Sequence, residues 1–272
     1  MKKLLIIFNF IFISLIFVTN LPYQTYCVAS SEKPMLAIII DDFGGYDQSG
    51  VELMLSIDAP LTCAIMPCLE NTESNTKSAL SSGKEVIVHM PMQASVSLPQ
   101  NWYGNICINN LDNKEQVYQK LNQAFDSIEE AKGFNIHIGS GACQHEQVMS
   151  HVYDYAISND KFFVDSRTHL NTICEKVANN KNTLYLGRDE FLEPQGAKSY
   201  DIAKQHLLIG ANLAKEKGYA IIIGHVGTHG GEQTAKAIKD SLKEIKDMGV
   251  EIVPLSTLYN TLTSTFISQK SD

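Results

Sequence analysis

Met35-Leu-Ala-Ile-Ile-Ile-Asp-Asp-Phe-Gly-Gly45 sets an unbroken apolar run against two adjacent carboxylates and a pair of glycines. Such a run, bounded by acidic residues and glycines, reads as a buried strand that opens into a loop. Strands buried on both faces belong to parallel sheets, because crossover helices cover both sides. Asp41 and Asp42 then stand at the carboxyl end of that strand. Two neighbouring negative charges are costly there unless something positive sits beside them.

Further apolar runs follow at residues 61–66, 86–89, 134–138, 162–165, 183–186, 220–223 and 251–253. Between them, residues 115–131 carry Val117, Leu121, Ala124, Phe125, Ile128 and Ala131 at helical spacing and close at Gly133. Residues 202–217 repeat the device before Gly218, and residues 234–248 before Gly249. One-faced helices closed by glycine and followed by short apolar strands are the cadence of βα units. The fold class expected is α/β: a single-domain β/α barrel, irregular or seven-stranded, with parallel strands and outer helices. An open doubly wound sheet is the other solution, and in both, ligands collect at the carboxyl ends of the strands. Neither a GxGxxG nor a GxxxxGK spacing occurs, so no dinucleotide or phosphate loop is indicated.

The chain opens with Met1-Lys2-Lys3 and a mostly apolar stretch to Thr19, then reaches Cys27-Val28-Ala29. This is the layout of a secretory signal over residues 1–29, with an uncleaved N-terminal anchor as the alternative. The expected location is exported, periplasmic or extracellular, with residues 30–272 forming the working domain. Membrane contact is expected only through the N-terminal segment, if uncleaved. Thirty acidic against twenty-two basic residues give a net charge of -8. That deficit argues against nucleic acid as a partner but is compatible with a neutral sugar. Beyond the leader, Cys63, Cys68, Cys107, Cys143 and Cys174 form no CxxC pair. Scattered buried thiols are expected, with one disulfide as the alternative.

Polar residues recur where the apolar runs end. Asp41 and Asp42 follow the first, His89 ends the third, His137 lies near the end of the fourth, and Asp165 ends the fifth. Arg188 and Asp189 follow the sixth, and His225 ends the seventh. Parallel strands bring all of these to one rim. Two histidines and one aspartate supply an N,N,O metal set that leaves positions for water and substrate, against the alternative of an inert polar rim. Neighbouring side chains on an extended strand point apart, so the aspartate pair is expected to divide labour between ligand and proton acceptor. His225, with an ordinary pKa of about 6.5, is the candidate general acid. Asp165 is expected to orient it. The Asp165/Arg167 and Arg188/Asp189 pairs either position groups behind the site or are salt bridges without chemistry. Asn101-Trp-Tyr-Gly104 reads equally as an aromatic platform for a sugar ring or as a loop anchor. No G-x-S-x-G elbow is present, which disfavours a serine nucleophile.

In Ala37-Ile-Ile-Ile-Asp-Asp42, His89-Met-Pro-Met92, His137-Ile-Gly-Ser140, Asp165-Ser-Arg167, Arg188-Asp189, Gly224-His225 and Val253-Pro-Leu-Ser256, the chain resembles the divergent polysaccharide deacetylase (YibQ-like) family. The resemblance runs from about Lys33 to Leu258. It implies a carbohydrate-esterase β/α barrel that removes acetyl groups from N-acetylated or O-acetylated sugars, with an acetylated oligosaccharide or peptidoglycan-like substrate. It further implies Asp41 as base, Asp42, His89 and His137 as ligands of a divalent ion, zinc before others, and His225 as acid. Two departures stand out. Ile136 replaces the family's usual second Asn before the histidine, with loss of a polar substrate contact expected, and Val226 replaces the usual Pro after Gly-His. The wider deacetylase signature of two histidines four residues apart is absent after His89. The rival readings are an exported glycan-binding or envelope-organising protein without useful turnover, and a metal hydrolase of another substrate class.

Overall fold

In the computed structural model, which describes residues 33–271, the run quoted above is β1 (Met35–Phe43), buried along nearly its whole length. The expected signal segment lies outside the described residues. After β1 come α1 (Val51–Leu55), β2 (Thr62–Ile65), α2 (Thr72–Ser81), β3 (Glu85–Met92), α3 (Lys114–Asp126), β4 (Gly133–Ile138), α4 (Glu146–Ser158) and β5 (Phe162–Asp165). The chain continues with α5 (Cys174–Asn180), β6 (Leu186–Gly187), β7 (Glu190–Phe191), α6 (Tyr200–Lys217), β8 (Tyr219–His225), α7 (Gly231–Asp247), β9 (Glu251–Ile252) and α8 (Leu255–Ser271).

Every ladder is parallel, and the order round the sheet is β6-β5-β4-β3-β2-β1-β8-β7, with β9 added to β1. β6 and β7 are halves of one extended stretch that serves both sheet edges. β6 pairs with β5 and β7 with β8, while Arg188 N donates to Asp165 O and Asp189 N to Ile221 O. The strands therefore curl into an irregular, open barrel rather than a regular closed one. The sequence reading put a strand at 183–186 and foresaw no β7. The ladder begins only at Leu186, because the stretch is shared between two edges and pairs with each over two residues.

Period-two alternation along β1 sends Leu36, Ile38 and Ile40 into the layer between strands and helices, and Ala37 and Ile39 into the barrel interior. Leu255, Leu258 and Leu262 of α8 share the inner cluster with Met35 and Phe162, which lie at the beginnings of strands. That helix seals the end of the barrel opposite the polar rim. α3 begins with a capping box between Asn113 and Gln116, and α6 ends at Gly218, whose φ of 87° suits a glycine. The helix expected over 115–131 stops at Asp126, and its last residues form successive turns. The five cysteines of the described residues are free thiols. No helix among the described residues is long and apolar enough to cross a membrane.

Candidate metal centre

The end of β1 departs from extended geometry. Its register with β2 shifts between Ile40 and Phe43, and Asp42 has a φ of 70°. Aspartate is among the few residues that enter the left-handed region at modest cost. The expectation that the two carboxylates point apart is thereby corrected, since the irregularity turns both into one cavity of 670 Å³. His89, His137, His225 and Trp102 line the same space.

Three atoms converge there. Asp42 Oδ1 lies 3.3 Å from His89 Nε2 and 3.2 Å from His137 Nδ1, and the two ring nitrogens are 3.0 Å apart. Ligands about 2.0–2.1 Å from a tetrahedral ion are separated by about 3.3 Å, so the spacing fits a shared cation. The hydrogen bonds behind the rings agree. Asn135 Nδ2 donates to Asp41 Oδ1 at 2.8 Å, which turns the Asn135 oxygen toward His89 Nδ1, also at 2.8 Å. His137 Nε2 donates to the Trp102 carbonyl at 2.9 Å. Each ring thus carries its proton on the outer nitrogen and aims a lone pair at the common point. Asp42, His89 and His137 form a cluster able to coordinate a divalent metal ion.

The neighbouring carboxylates are driven in opposite directions. Burial pushes the pKa of Asp41 up, and nearby His89 and His225 only partly offset it. Burial also opposes charge on Asp42, but contacts with His137, His229 and His89 hold it well below the usual carboxylate range. His229 Nδ1 stands 3.4 Å from Asp42 Oδ2. For His89, the carboxylates of Asp41 and Asp42 outweigh burial and raise its pKa.

His225 sits beside Asp41 in the β1–β8 register. Its Nδ1 is 2.9 Å from Glu193 Oε2, and its backbone N–H donates to Glu193 Oε1 at 3.2 Å. Glu193 is buried and also accepts from the Thr234 hydroxyl. A Cβ at Gly230 would lie 2.4 Å from Glu193 Oε1, so that glycine makes room for the carboxylate. Burial opposes charge on His225, yet Glu193 outweighs it and the pKa is pushed up to about 9. A ring near its ordinary pKa was expected, and the carboxylate behind it is the reason for the difference.

The carboxylate set against His225 is therefore Glu193, not Asp165. Asp165 is fully buried and accepts from Arg167 N, the Thr172 hydroxyl and the Tyr185 hydroxyl. Arg188 donates from Nε to Ser166 O and from Nη2 to Arg167 O, and its guanidinium lies 3.5 Å over the Phe191 ring. Both residues tie the seam between β5 and β7, and neither lines the cavity. Asn135 and Glu193 escaped the sequence reading, although each left a signal. Asn135 is two residues from His137, hence on the same strand face. Glu193 is an acidic residue closing an apolar pair, like Asp41, but it follows a strand too short to stand out.

The departures at Ile136 and Val226 also acquire positions. Ile136 packs in the buried layer between strands and helices and also borders the cavity. Val226 N donates to Asp41 O at 3.1 Å, a bond that proline cannot make.

A family model described as divergent polysaccharide deacetylase matches residues 38–259. An uncharacterized protein of Haemophilus influenzae is 29% identical over 203 residues, 75% of this chain and 69% of its own length. The uncharacterized protein YibQ of Escherichia coli is 26% identical over 190 residues, 70% of this chain, and the match spans only 58% of that relative. Among solved structures, the uncharacterized protein ATU2773 of Agrobacterium tumefaciens superposes with a TM-score of 0.75 at 16% identity, covering 86% of this chain and 93% of that one. The Bc1960 peptidoglycan N-acetylglucosamine deacetylase superposes with a TM-score of 0.51 at 14% identity, covering 84% and 89%. At such identities the likeness is one of fold.

Proposed function

The chain belongs to the divergent polysaccharide deacetylase family, and from that premise we propose that it is a metal-dependent hydrolase removing acetyl groups from N-acetylated, or O-acetylated, sugars of a cell-envelope glycan. The observation that carries the reading is the convergence of Asp42, His89 and His137 on one point beside Asp41 and His225.

Asp42, His89 and His137 would hold the ion, and two imidazoles with one carboxylate suit zinc among the divalent cations. A cation there supplies Lewis acidity toward a carbonyl oxygen and makes water more acidic. Asp41, steadied through Asn135 on one oxygen, accepts the proton of the water that attacks the acetyl carbon. Its raised pKa makes it a better proton acceptor than an exposed carboxylate while leaving Asp42 ionised. His225, protonated because of Glu193, then donates to the leaving amine as the C–N bond breaks. Acetate and a free amino sugar result, with one proton taken by Asp41 and one given by His225. The signal-like layout of residues 1–29 supports an exported, periplasmic or extracellular setting, in which such glycans are the available substrates.

The test is acetate release from N-acetylated chitooligosaccharides, peptidoglycan fragments and acetylated esters, comparing metal-loaded with chelator-stripped protein. Release that follows metal loading is the expected result. A fully loaded protein that frees acetate from none of them would point instead to a glycan-binding or envelope-organising role.

A further inference from the structure

The sequence left the Asn101-Trp-Tyr-Gly104 segment with two readings, platform or anchor, and the fold divides them between two residues. Tyr103 is the anchor: it is buried, and its hydroxyl accepts from Ala94 N at 3.2 Å. Gly104, with a φ of 70°, lets the backbone pass close over Leu69. Trp102 closes a single turn over Gln100–Trp102, with its N–H on Pro99 O at 3.0 Å and its carbonyl on His137 Nε2 at 2.9 Å. The backbone of Trp102 is therefore held at the metal centre, while the residue remains 52% exposed and lines the cavity.

An indole carried on a backbone fixed at the metal centre, left half open to solvent and packed into no core cluster, has a flat apolar face available to a ligand in the cavity. Asn101 lines the same cavity. A flat apolar face with an adjoining amide matches a pyranose ring, which has C–H faces and a hydroxylated edge. We propose that Trp102 forms a sugar-ring subsite next to the metal centre, in which a pyranose unit of an acetylated glycan stacks on the indole and Asn101 contacts its hydroxyls. The proposal rests on the carbohydrate reading above. It adds that glycan recognition and the seating of His137 share one residue, through its ring and its carbonyl respectively.

Trp102 is the chain's one tryptophan, so selectively excited tryptophan emission reports this ring alone. Titrating metal-loaded protein with N-acetylated chitotriose, and separately with a peptidoglycan disaccharide fragment, should give a saturable change in emission with at least one of them. Trp102→Ala should raise KM for that glycan about tenfold, with kcat within about twofold and metal content unchanged. Trp102→Phe should recover most of the loss. The backbone carbonyl survives both substitutions, so a residue that served only to seat His137 would leave KM unmoved. Unchanged emission with both glycans, or an unchanged KM in Trp102→Ala, overturns the subsite. A drop in kcat and metal content together does so too, because it makes the ring structural. If no acetate is released by the wild-type protein, the hydrolase reading falls on its own and the emission titration alone decides the subsite.

Discussion

Two groups of histidines line one cavity, and what stands behind each ring separates them. On the β3–β4 side, His89 leans on the Asn135 amide oxygen and His137 on the Trp102 carbonyl. On the β8 side, His225 leans on the buried carboxylate of Glu193. A neutral acceptor behind the ring fixes which nitrogen carries the proton in the neutral imidazole and leaves the other lone pair facing Asp42, where a cation can take the place of a second proton. A carboxylate rewards the imidazolium, so the ring keeps a proton to give. The same residue type is thus fitted for opposite tasks by its partner.

The contrast breaks most directly at the ligands. His89→Ala or His137→Ala should lose bound metal and reduce acetate release by about a thousandfold or more, read by elemental analysis beside turnover. A variant that keeps its metal and its rate would remove the β3–β4 side from the chemistry. Next comes Asp41→Asn, which should cost about 10²–10⁴-fold in kcat while leaving metal content untouched. Full activity in that variant would strip Asp41 of the base role.

Smaller changes sharpen the comparison. Asn135→Ala removes the acceptor behind His89 and should weaken metal affinity by about 10–100-fold in a competition titration with a chelator. An unchanged dissociation constant would mean that the ring needs no such support. Glu193→Gln should act on the other side alone. With His225 near 9, activity that depends on its proton is present below that pH and lost as pH rises through it. The amide should bring this alkaline limb down toward about 6.5, lowering kcat at pH 7 roughly fourfold with metal affinity unaltered. A pH–rate profile that does not move would dissociate Glu193 from proton transfer. The sign for stability is the same: the pair's contribution is full below about 6.5 and disappears as pH climbs through about 9.

Much of this arrangement is legible in local pattern. The apolar run at Met35, the acidic pair after it, and the histidines closing the third, fourth and seventh runs all follow from periodicity and from where it stops. Parallel pairing then brings strand ends to one rim whatever the details of their order. The seam was not legible. Leu186–Gly187 and Glu190–Phe191 are too short to show a period, which is why Glu193 went unnoticed and Asp165 took its place in the reading.

What the residues alone carry, then, is the set of strands, the polar groups at their ends and the excess of acid over base, because each depends on neighbours a few positions away. What the assembled sheet decides is which of those groups meet. Asp42 faces His89 and His137 only because the backbone turns left-handed at the end of β1. Asp41 meets an amide 94 positions distant, and His225 a carboxylate 32 positions before it. Charge, tautomer and pKa at the site follow from those long-range pairings, and no short window of sequence contains both partners.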